Sequence, residues 1–155
     1  NEDGYTALGL ATKYGRTMTV WMLIQARADV NKLDKRGFTP LREAVSSNRG
    51  SILILLLENG ADVNKPNEKG FTALHEAANS NKISILVHLL ENGASVNVKT
   101  KLCLTPLHLA ASQGNDIVLW LLLRKRARRD QRDCNQRTPL HWAVEGGHVN
   151  AIHIL

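Results

Sequence analysis

The chain has 155 residues, of which 43% are hydrophobic and 22% are charged, and its net charge at pH 7 is +6. This balance is typical of a folded protein and disfavours a disordered one. No apolar run approaches the roughly 18 residues that a membrane-spanning helix requires. Two cysteines are too few for a disulfide scaffold, so we expect a reducing intracellular compartment, cytoplasmic or nuclear.

A threonine recurs every 33 residues along the whole chain. It opens a similar phrase each time: TALGLA at 6–11, TPLREA at 39–44, TALHEA at 72–77, TPLHLA at 105–110 and TPLHWA at 138–143. Because the register holds without an insertion, the sequence predicts stacked copies of one small unit. The predicted units are 1–33, 34–66, 67–99, 100–132 and a truncated 133–155.

The second unit contains the signals for each element in chain order. Thr39 followed by Pro40 predicts the start of a first helix, because threonine caps a helix and proline fits its first position. The apolar segment Ile52 to Leu57 predicts a second helix that is apolar on nearly all sides, as in a layer between neighbours. Gly60 ends this helix, and Gly70 permits the turn that leads into the next unit.

These phrases and their spacing resemble the ankyrin repeat, which has a 33-residue period and the signature T-P-L-H-x-A. The resemblance covers the whole chain. It implies an all-α solenoid of helix-turn-helix units with projecting β-hairpin fingers, stabilised by the stacking of neighbouring units. Since the apolar residues 151–155 would be exposed at the end of such a stack, we expect more chain after Leu155 and before Asn1.

The sequence offers little for catalysis, because it contains no GxGxxG, P-loop, GxSxG or HExxH motif. We therefore predict no enzyme, no cofactor, no metal site and no small-molecule substrate. His75, His108 and His141 are the fourth letter of the repeated phrase, and the resemblance implies that they form hydrogen bonds between units. In the implied fold, Cys103 and Cys134 lie on successive fingers and are too far apart for a ready disulfide.

The resemblance implies instead a protein–protein recognition module, an adaptor or scaffold whose concave face is lined by fingers and first helices. The residue before the repeated threonine is large and apolar in four units, and lysines and arginines flank it. Such a row suits an extended protein or peptide ligand with apolar anchors and acidic character. The alternative is that these side chains pack on adjacent fingers and only stiffen them. The predicted partner-binding residues are Tyr5, Lys13, Tyr14, Lys35, Arg36, Phe38, Lys69, Phe71, Lys101, Leu102, Leu104, Gln113 and Arg137.

Nearly all of the net positive charge belongs to the fourth unit, where it is concentrated in one run at 124–132. Its cations are Arg124, Lys125, Arg126, Arg128, Arg129 and Arg132. The run predicts attraction to nucleic acid or to an acidic protein, and it resembles a nuclear-import cluster. No aromatic residue is interleaved with it, which disfavours stacking on single strands. The alternative is a solvated helix end whose cations are favoured by the helix dipole. A further possibility is that the chain is the ankyrin segment of a larger channel, kinase or ubiquitin-ligase subunit.

The fourth unit also departs from the repeat at two turn positions. Arg126 stands where Gly60 and Gly93 stand, and Cys103 stands where three other units have glycine. A non-glycine residue in a left-handed conformation costs on the order of 1–2 kcal/mol. The departures indicate either a functional site or drift.

Position 21 of each unit, usually a charged residue of the second helix in this family, is large and apolar in four units. The residues are Trp21, Ile54, Val87 and Trp120. In a row they predict a second interface, for self-association or for docking a flanking segment of the same chain. The alternative is that they lie flat against the neighbouring unit.

An asparagine follows the second helix in three units, at Asn31, Asn64 and Asn97. In ankyrin families an oxygen-dependent hydroxylase can modify this asparagine. The resemblance therefore makes all three candidates for hydroxylation.

Overall fold

The computed structural model describes residues 4–155, and within that range the chain forms ten α-helices and no strand. No helix in this range has the length and apolarity needed to cross a bilayer. The helices are α1 (Ala7–Lys13), α2 (Thr17–Gln25), α3 (Pro40–Ser46), α4 (Gly50–Glu58), α5 (Ala73–Asn79), α6 (Ile83–Glu91), α7 (Pro106–Ser112), α8 (Asp116–Arg124), α9 (Pro139–Glu145) and α10 (Val149–Ile154). Odd-numbered helices are the first helices of each pair, and even-numbered helices are the second.

The start of each first helix follows from the capping chemistry of its threonine. The Thr39 side chain accepts a hydrogen bond from the backbone N–H of Arg42 at 3.2 Å, and Pro40 occupies the first turn. This satisfies one of the backbone donors that a helix start leaves unpaired. The second helix α4 ends before Gly60, whose φ of +83° is the left-handed conformation expected there. Both boundary predictions are confirmed.

The first helices stack side by side in one layer and the second helices in another. Each first helix packs on its own second helix and on the first helices of the neighbouring pairs. The core runs continuously between the layers; in α4, for example, Ile52, Leu53 and Leu56 are buried. The prediction of an all-α solenoid is confirmed. At the last pair the exposed apolar side chains are Leu140 and Val144 of α9 and Val149 of α10, whereas Ala151 is buried.

The fingers are the loops before each first helix, with turns at 34–38, 67–71, 100–104 and 133–137. In the first of these the backbone N–H of Asp34 donates to the Phe38 carbonyl at 2.9 Å, and the Phe38 N–H donates to Asp34 Oδ1 at 2.8 Å. Neighbouring fingers are joined by single backbone bonds, such as Lys101 N to Lys69 O at 3.0 Å. The implied β-hairpins are therefore tight turns without a strand ladder.

The predicted left-handed residues of the fourth unit are confirmed, with φ of +58° at Cys103 and +65° at Arg126. The departures are not confined to that unit, however. Arg27 (φ +62°) occupies the position of Arg126 in the first unit, and Gln136 (φ +63°) occupies the position of Cys103 in the fifth. Left-handed non-glycine residues are thus a recurrent cost of this chain and do not by themselves mark a functional unit.

Candidate functional site

The row of side chains before the repeated threonines is only partly accessible. Tyr5, Phe38 and Phe71 are half-buried, and the Phe71 ring packs at 5.5 Å, centroid to centroid, on the ring of His75. Leu104 is only 8% exposed. It therefore offers a partner little surface, and the accessible row is shorter than predicted.

Cations and aromatic rings alternate across the first two fingers. The Lys13 Nζ lies 4.6 Å from the centroid of the Tyr5 ring, and the Arg36 Cζ lies 4.0 Å from the same centroid. Arg36 is also 4.8 Å from the Phe38 ring, whose other neighbour is the Arg42 guanidinium at 4.1 Å. We call Lys13, Tyr5, Arg36, Phe38 and Arg42 the cation–ring ladder. Each such contact contributes about 0.5–1 kcal/mol at exposed sites and more where water is excluded.

Carboxylates neutralise the two arginines of this ladder. Arg36 Nη2 lies 3.1 Å from Asp34 Oδ2 and 2.8 Å from Glu43 Oε2. Arg42 is 4% exposed, its Nη2 is 3.9 Å from Glu76 Oε2, and its buried Nε has no hydrogen-bond partner. Burial lowers the pKa of Arg42 despite the attraction of Glu76. The ladder therefore braces the fingers and contributes little net positive field.

Free positive charge lies instead at the edge of the fingers. Four exposed lysines take part in none of the ion pairs found in residues 4–155. We call them the lysine rim: Lys35, Lys69, Lys99 and Lys101. Beside Lys101, Leu102 is 62% exposed. Tyr14 and Gln113, at the ends of two first helices, are exposed as well.

Arg137, the last member of the predicted row, is held in a cluster around Asp133. Its Nη2 is 3.0 Å from Asp133 Oδ2 and its Nη1 is 3.1 Å from Glu145 Oε2. Its Cζ lies 4.1 Å from the centroid of the Trp142 ring, whose Nε1 donates to Asp133 at 3.1 Å. Burial opposes the ionisation of Asp133, but hydrogen bonds from the backbone N–H groups of Arg137 and Asn135 and from the two side chains outweigh it and lower its pKa. We missed Asp133 in the sequence, although it matches Asp34 in the finger phrase.

The repeated histidines join neighbouring units. The Thr72 backbone N–H donates to His75 Nδ1 at 3.2 Å, so His75 Nε2 carries the proton that it shares with the Leu104 carbonyl at 3.1 Å. Burial lowers the pKa of His75 to about 4. His108 makes the equivalent bond to Arg137 O at 3.2 Å, whereas His141 is exposed. The predicted bonds between units are confirmed for the two buried histidines. Among residues 4–155, no three potential ligands lie close enough to hold a metal ion.

Two family models match the chain. The model described as ankyrin repeats (3 copies) matches residues 1–67 and 74–155, and the model described as ankyrin repeats (many copies) matches residues 55–87. The chain belongs to the ankyrin-repeat family. Ankyrin repeats are generally protein–protein interaction modules. No curated protein matches the chain.

The basic run of this ankyrin-repeat chain is exposed and takes part in none of the ion pairs within the described range. Arg124 ends α8, and its Cζ lies 4.7 Å from the centroid of the Trp120 ring. Arg129 and Arg132 use their Nη1 atoms on the carbonyls of Leu155 and Gln136, at 3.3 and 3.1 Å. The structure thus places the Trp120 ring against Arg124, one helical turn before the start of the run, although no aromatic residue lies within the run itself.

The row at position 21 of the ankyrin units is exposed at both ends. Trp21 is 47% exposed, Trp120 is 51% exposed and Ile54 is 36% exposed. Val87, between Ile54 and Trp120 in the row, is half-buried. The side chains therefore do not all lie flat against their neighbours, and Arg124 covers one face of Trp120. Use of this row as a second interface stays a prediction.

The three candidate asparagines bridge consecutive ankyrin units. Asn31 donates to the Gly60 carbonyl at 3.0 Å and accepts from the Asp62 N–H at 2.7 Å. Asn64 and Asn97 repeat the pattern one and two units further on. Each of the three amides is thus engaged in hydrogen bonds to the next unit. Hydroxylation stays a prediction.

The prediction for the two cysteines is wrong. Cys103 and Cys134 lie on successive ankyrin fingers, but their Sγ atoms are only 3.2 Å apart. The fingers are joined by the backbone bond from Cys134 N to Leu102 O at 3.2 Å, which brings the two side chains to the same edge. Both thiols are free.

Proposed function

We propose that the chain is a non-enzymatic adaptor or scaffold module that acts inside the cell and binds an extended, acidic protein or peptide segment across its fingers and first helices. The observation that carries this proposal is the lysine rim. Its four cations are exposed and lie outside the ion pairs of the described residues, whereas the arginines of the cation–ring ladder are neutralised. A ligand with carboxylates would supply the missing charge.

Apolar contacts for such a segment are also present. Leu102 is exposed between Lys101 and Cys103, and Tyr14 is exposed where α1 ends. An exposed apolar side chain beside a cation suits a ligand whose acidic and apolar residues alternate. The rings of Phe38 and Phe71 are half-buried. Their direct contact with a partner stays a prediction.

The cation–ring ladder supports the proposal by fixing the fingers before a ligand arrives. Arg36 is held by two carboxylates and two rings at once. Side chains that are already ordered lose less entropy on association, so more of the contact energy appears as affinity. The non-enzymatic part of the proposal is supported by His75 and His108, whose ring nitrogens are used in structural bonds.

Reversal of three rim charges is expected to weaken binding of acidic peptides about tenfold or more, since each exposed ion pair contributes up to about 1 kcal/mol. The variant is Lys35→Glu with Lys69→Glu and Lys101→Glu. An array of synthetic extended peptides of acidic, neutral and basic composition, each with spaced leucines, measures the preference. The parent should retain the acidic peptides and the variant should lose them.

The matched control makes the same change in charge at the ends of second helices, outside the fingers and the first helices. Arg27 and Lys125 follow α2 and α8, and Lys82 precedes α6. Their simultaneous change to glutamate should leave peptide retention close to that of the parent. Equal losses in both triple variants, or no preference of the parent for acidic peptides, would contradict the proposed surface.

A second candidate function, association with nucleic acid, is favoured by one observation at the basic run. Its six cations are exposed, and Arg124 stacks on the exposed ring of Trp120. Cations supply affinity for phosphates, and an exposed ring supplies a surface on which a base stacks.

Simultaneous change of Arg124, Arg128 and Arg132 to glutamine is expected to reduce the slope of log affinity against log salt concentration by about 3, because each phosphate contact contributes about 0.9. Binding of duplex DNA and of heparin over a range of salt concentrations measures this slope. The same change at Arg16, Arg49 and Lys82 is the control. If the parent binds neither polyanion at low salt, this second function is excluded.

A further inference from the structure

Two free thiols face each other across the tips of the fourth and fifth fingers. Cys134 Sγ lies 3.2 Å from Cys103 Sγ and 3.7 Å from the Lys101 carbonyl oxygen. The backbone bond from Cys134 N to Leu102 O fixes the spacing of the two fingers. The contact therefore rests on main-chain geometry as well as on the rotamers of the two side chains.

The pair combines a departure from the finger phrase at Cys103 with a cysteine at position 134, where the fourth unit has Lys101. Cys103 occupies the turn position at which Gly70 stands in the third unit, and it keeps a left-handed φ of +58°. A Cβ added at Gly70 would lie 2.9 Å from the backbone of the next finger, at Thr100. At Cys103 a side chain is accommodated, and it points to Cys134 on the finger that follows.

Neither cysteine is buried in the core. Cys134 is exposed and Cys103 is half-buried. The hydrogen bond to Cys103 raises the pKa of Cys134 above its usual value, and the positive charge of Lys99 acts in the opposite direction.

We propose that Cys103 and Cys134 form a reversible disulfide that clamps the fourth finger to the fifth when the cell becomes oxidising. The oxidant is a small disulfide of the glutathione type. One cysteine thiolate attacks it, forms a mixed disulfide and releases one thiol. The second cysteine then gives up its proton, attacks the mixed disulfide and releases the other thiol. Two protein thiols become one disulfide, and one small disulfide becomes two thiols.

Little movement separates the two states. The Sγ atoms are 3.2 Å apart and have to approach to about 2 Å to form the bond. The disulfide closes a loop that includes the whole of α7, α8 and the basic run. Oxidation is therefore expected to raise the thermal unfolding midpoint by several degrees. The disulfide does not depend on the proposed partner, but it would fix Leu102 and Lys101 of the fourth finger.

The test begins with the reduced full chain and glutathione disulfide at neutral pH, followed by alkylation of the remaining thiols and mass spectrometry. The parent is expected to become lighter by two hydrogens, to resist alkylation, and to yield one crosslinked peptide pair containing both cysteines. Cys103→Gly, which restores the residue of the other turns, and Cys134→Ser should each stop at a glutathione adduct. Glutathione adducts at both cysteines of the folded parent, with no internal disulfide, would overturn the proposal.

A second measurement does not rely on oxidation or on the folding of the variants. Phenylarsine oxide bridges two thiols that lie close together, so it should bind the reduced parent one to one and protect both cysteines from alkylation. Alkylation of both thiols at an unchanged rate would show that they do not meet in solution, and the proposal would then be wrong.

Discussion

The protein is expected to lose stability as the pH falls from about 6.5 towards about 4, because the unfolded chain then binds a proton at His75 that the folded chain does not. Burial lowers its pKa in the folded state from the ordinary 6.5 to about 4. Above pH 6.5 the ring is neutral in both the folded and the unfolded chain, so the full stability is present. Below that pH the unfolded chain binds the proton first, and the folded state is progressively disfavoured. A pKa shift of this size lowers the free energy of unfolding by about 3 kcal/mol once the pH is below both pKa values.

Urea denaturation followed by circular dichroism between neutral pH and about pH 4 measures the effect. In His75→Gln the side chain cannot be protonated, so the variant is expected to be less stable at neutral pH but to lose less stability on acidification. His108, whose pKa burial also lowers, adds to the slope that remains. His141→Gln is the control, because His141 is exposed and should leave the profile of the parent unchanged. Parallel profiles for the parent and His75→Gln would contradict the assignment.

The elements of this fold are predictable from sequence because local chemistry determines them. The repeated threonine precedes the first helix in all five units, with proline after it in three of them, and glycine follows the second helix in the second and third units. The 33-residue register then requires the copies to pack alike, which gives the solenoid and the histidine bonds between units. The histidine bonds join residues 29 apart, such as His75 and Leu104, but both ends lie at fixed places in the repeated phrase, so the bonds follow from the register.

The contacts that sequence analysis missed also join residues at non-equivalent positions of successive units. Cys103 and Cys134 are 31 residues apart, as are Tyr5 and Arg36 of the cation–ring ladder. Residues 33 apart are equivalent in successive units and stack in parallel rows. Adjacent fingers touch with a shift of about two residues, so the residue that faces Cys103 is not its equivalent, Gln136. Pairs at a spacing of 31 were visible in the sequence, but only the geometry of the fingers gives that spacing its meaning.

Arg42 was hidden for another reason. It occupies the fourth letter of the TPLH phrase, where other units have the histidine that bonds to the next unit. A charged side chain in a solenoid is expected to be exposed, yet Arg42 is buried beneath Phe38 and close to Glu76. The ring that makes its burial tolerable comes from the finger turn of its own unit, and the carboxylate comes from the next unit. Burial of a cation depends on such partners and does not follow from its own position.

Two glycine substitutions are expected to differ in cost although the backbone is the same at both sites. Gly60 and Gly70 each have a φ of +83°, so alanine should pay the same left-handed strain at either, on the order of 1 kcal/mol. A Cβ at Gly60 would meet no atom within 4 Å. At Gly70 it would lie 2.9 Å from Thr100 Cα and 3.0 Å from Lys101 N, which are backbone atoms that cannot rotate away.

Gly70→Ala must therefore push the third and fourth fingers apart, so overpacking adds to the backbone strain. We expect the free energy of unfolding to fall by about 3 kcal/mol for Gly70→Ala and by about 1 kcal/mol for Gly60→Ala. The free energy of unfolding from urea denaturation measures both, and their difference isolates the packing of the fingers from the conformational preference of glycine. Equal losses would mean that the fingers are not held against each other in solution. Since Cys103 occupies the position of Gly70 in the next unit and carries a side chain without such a clash, the spacing of the fingers differs along the stack. The close contact with Gly70 thus fixes the position of the fourth finger, which carries Lys101 and Leu102.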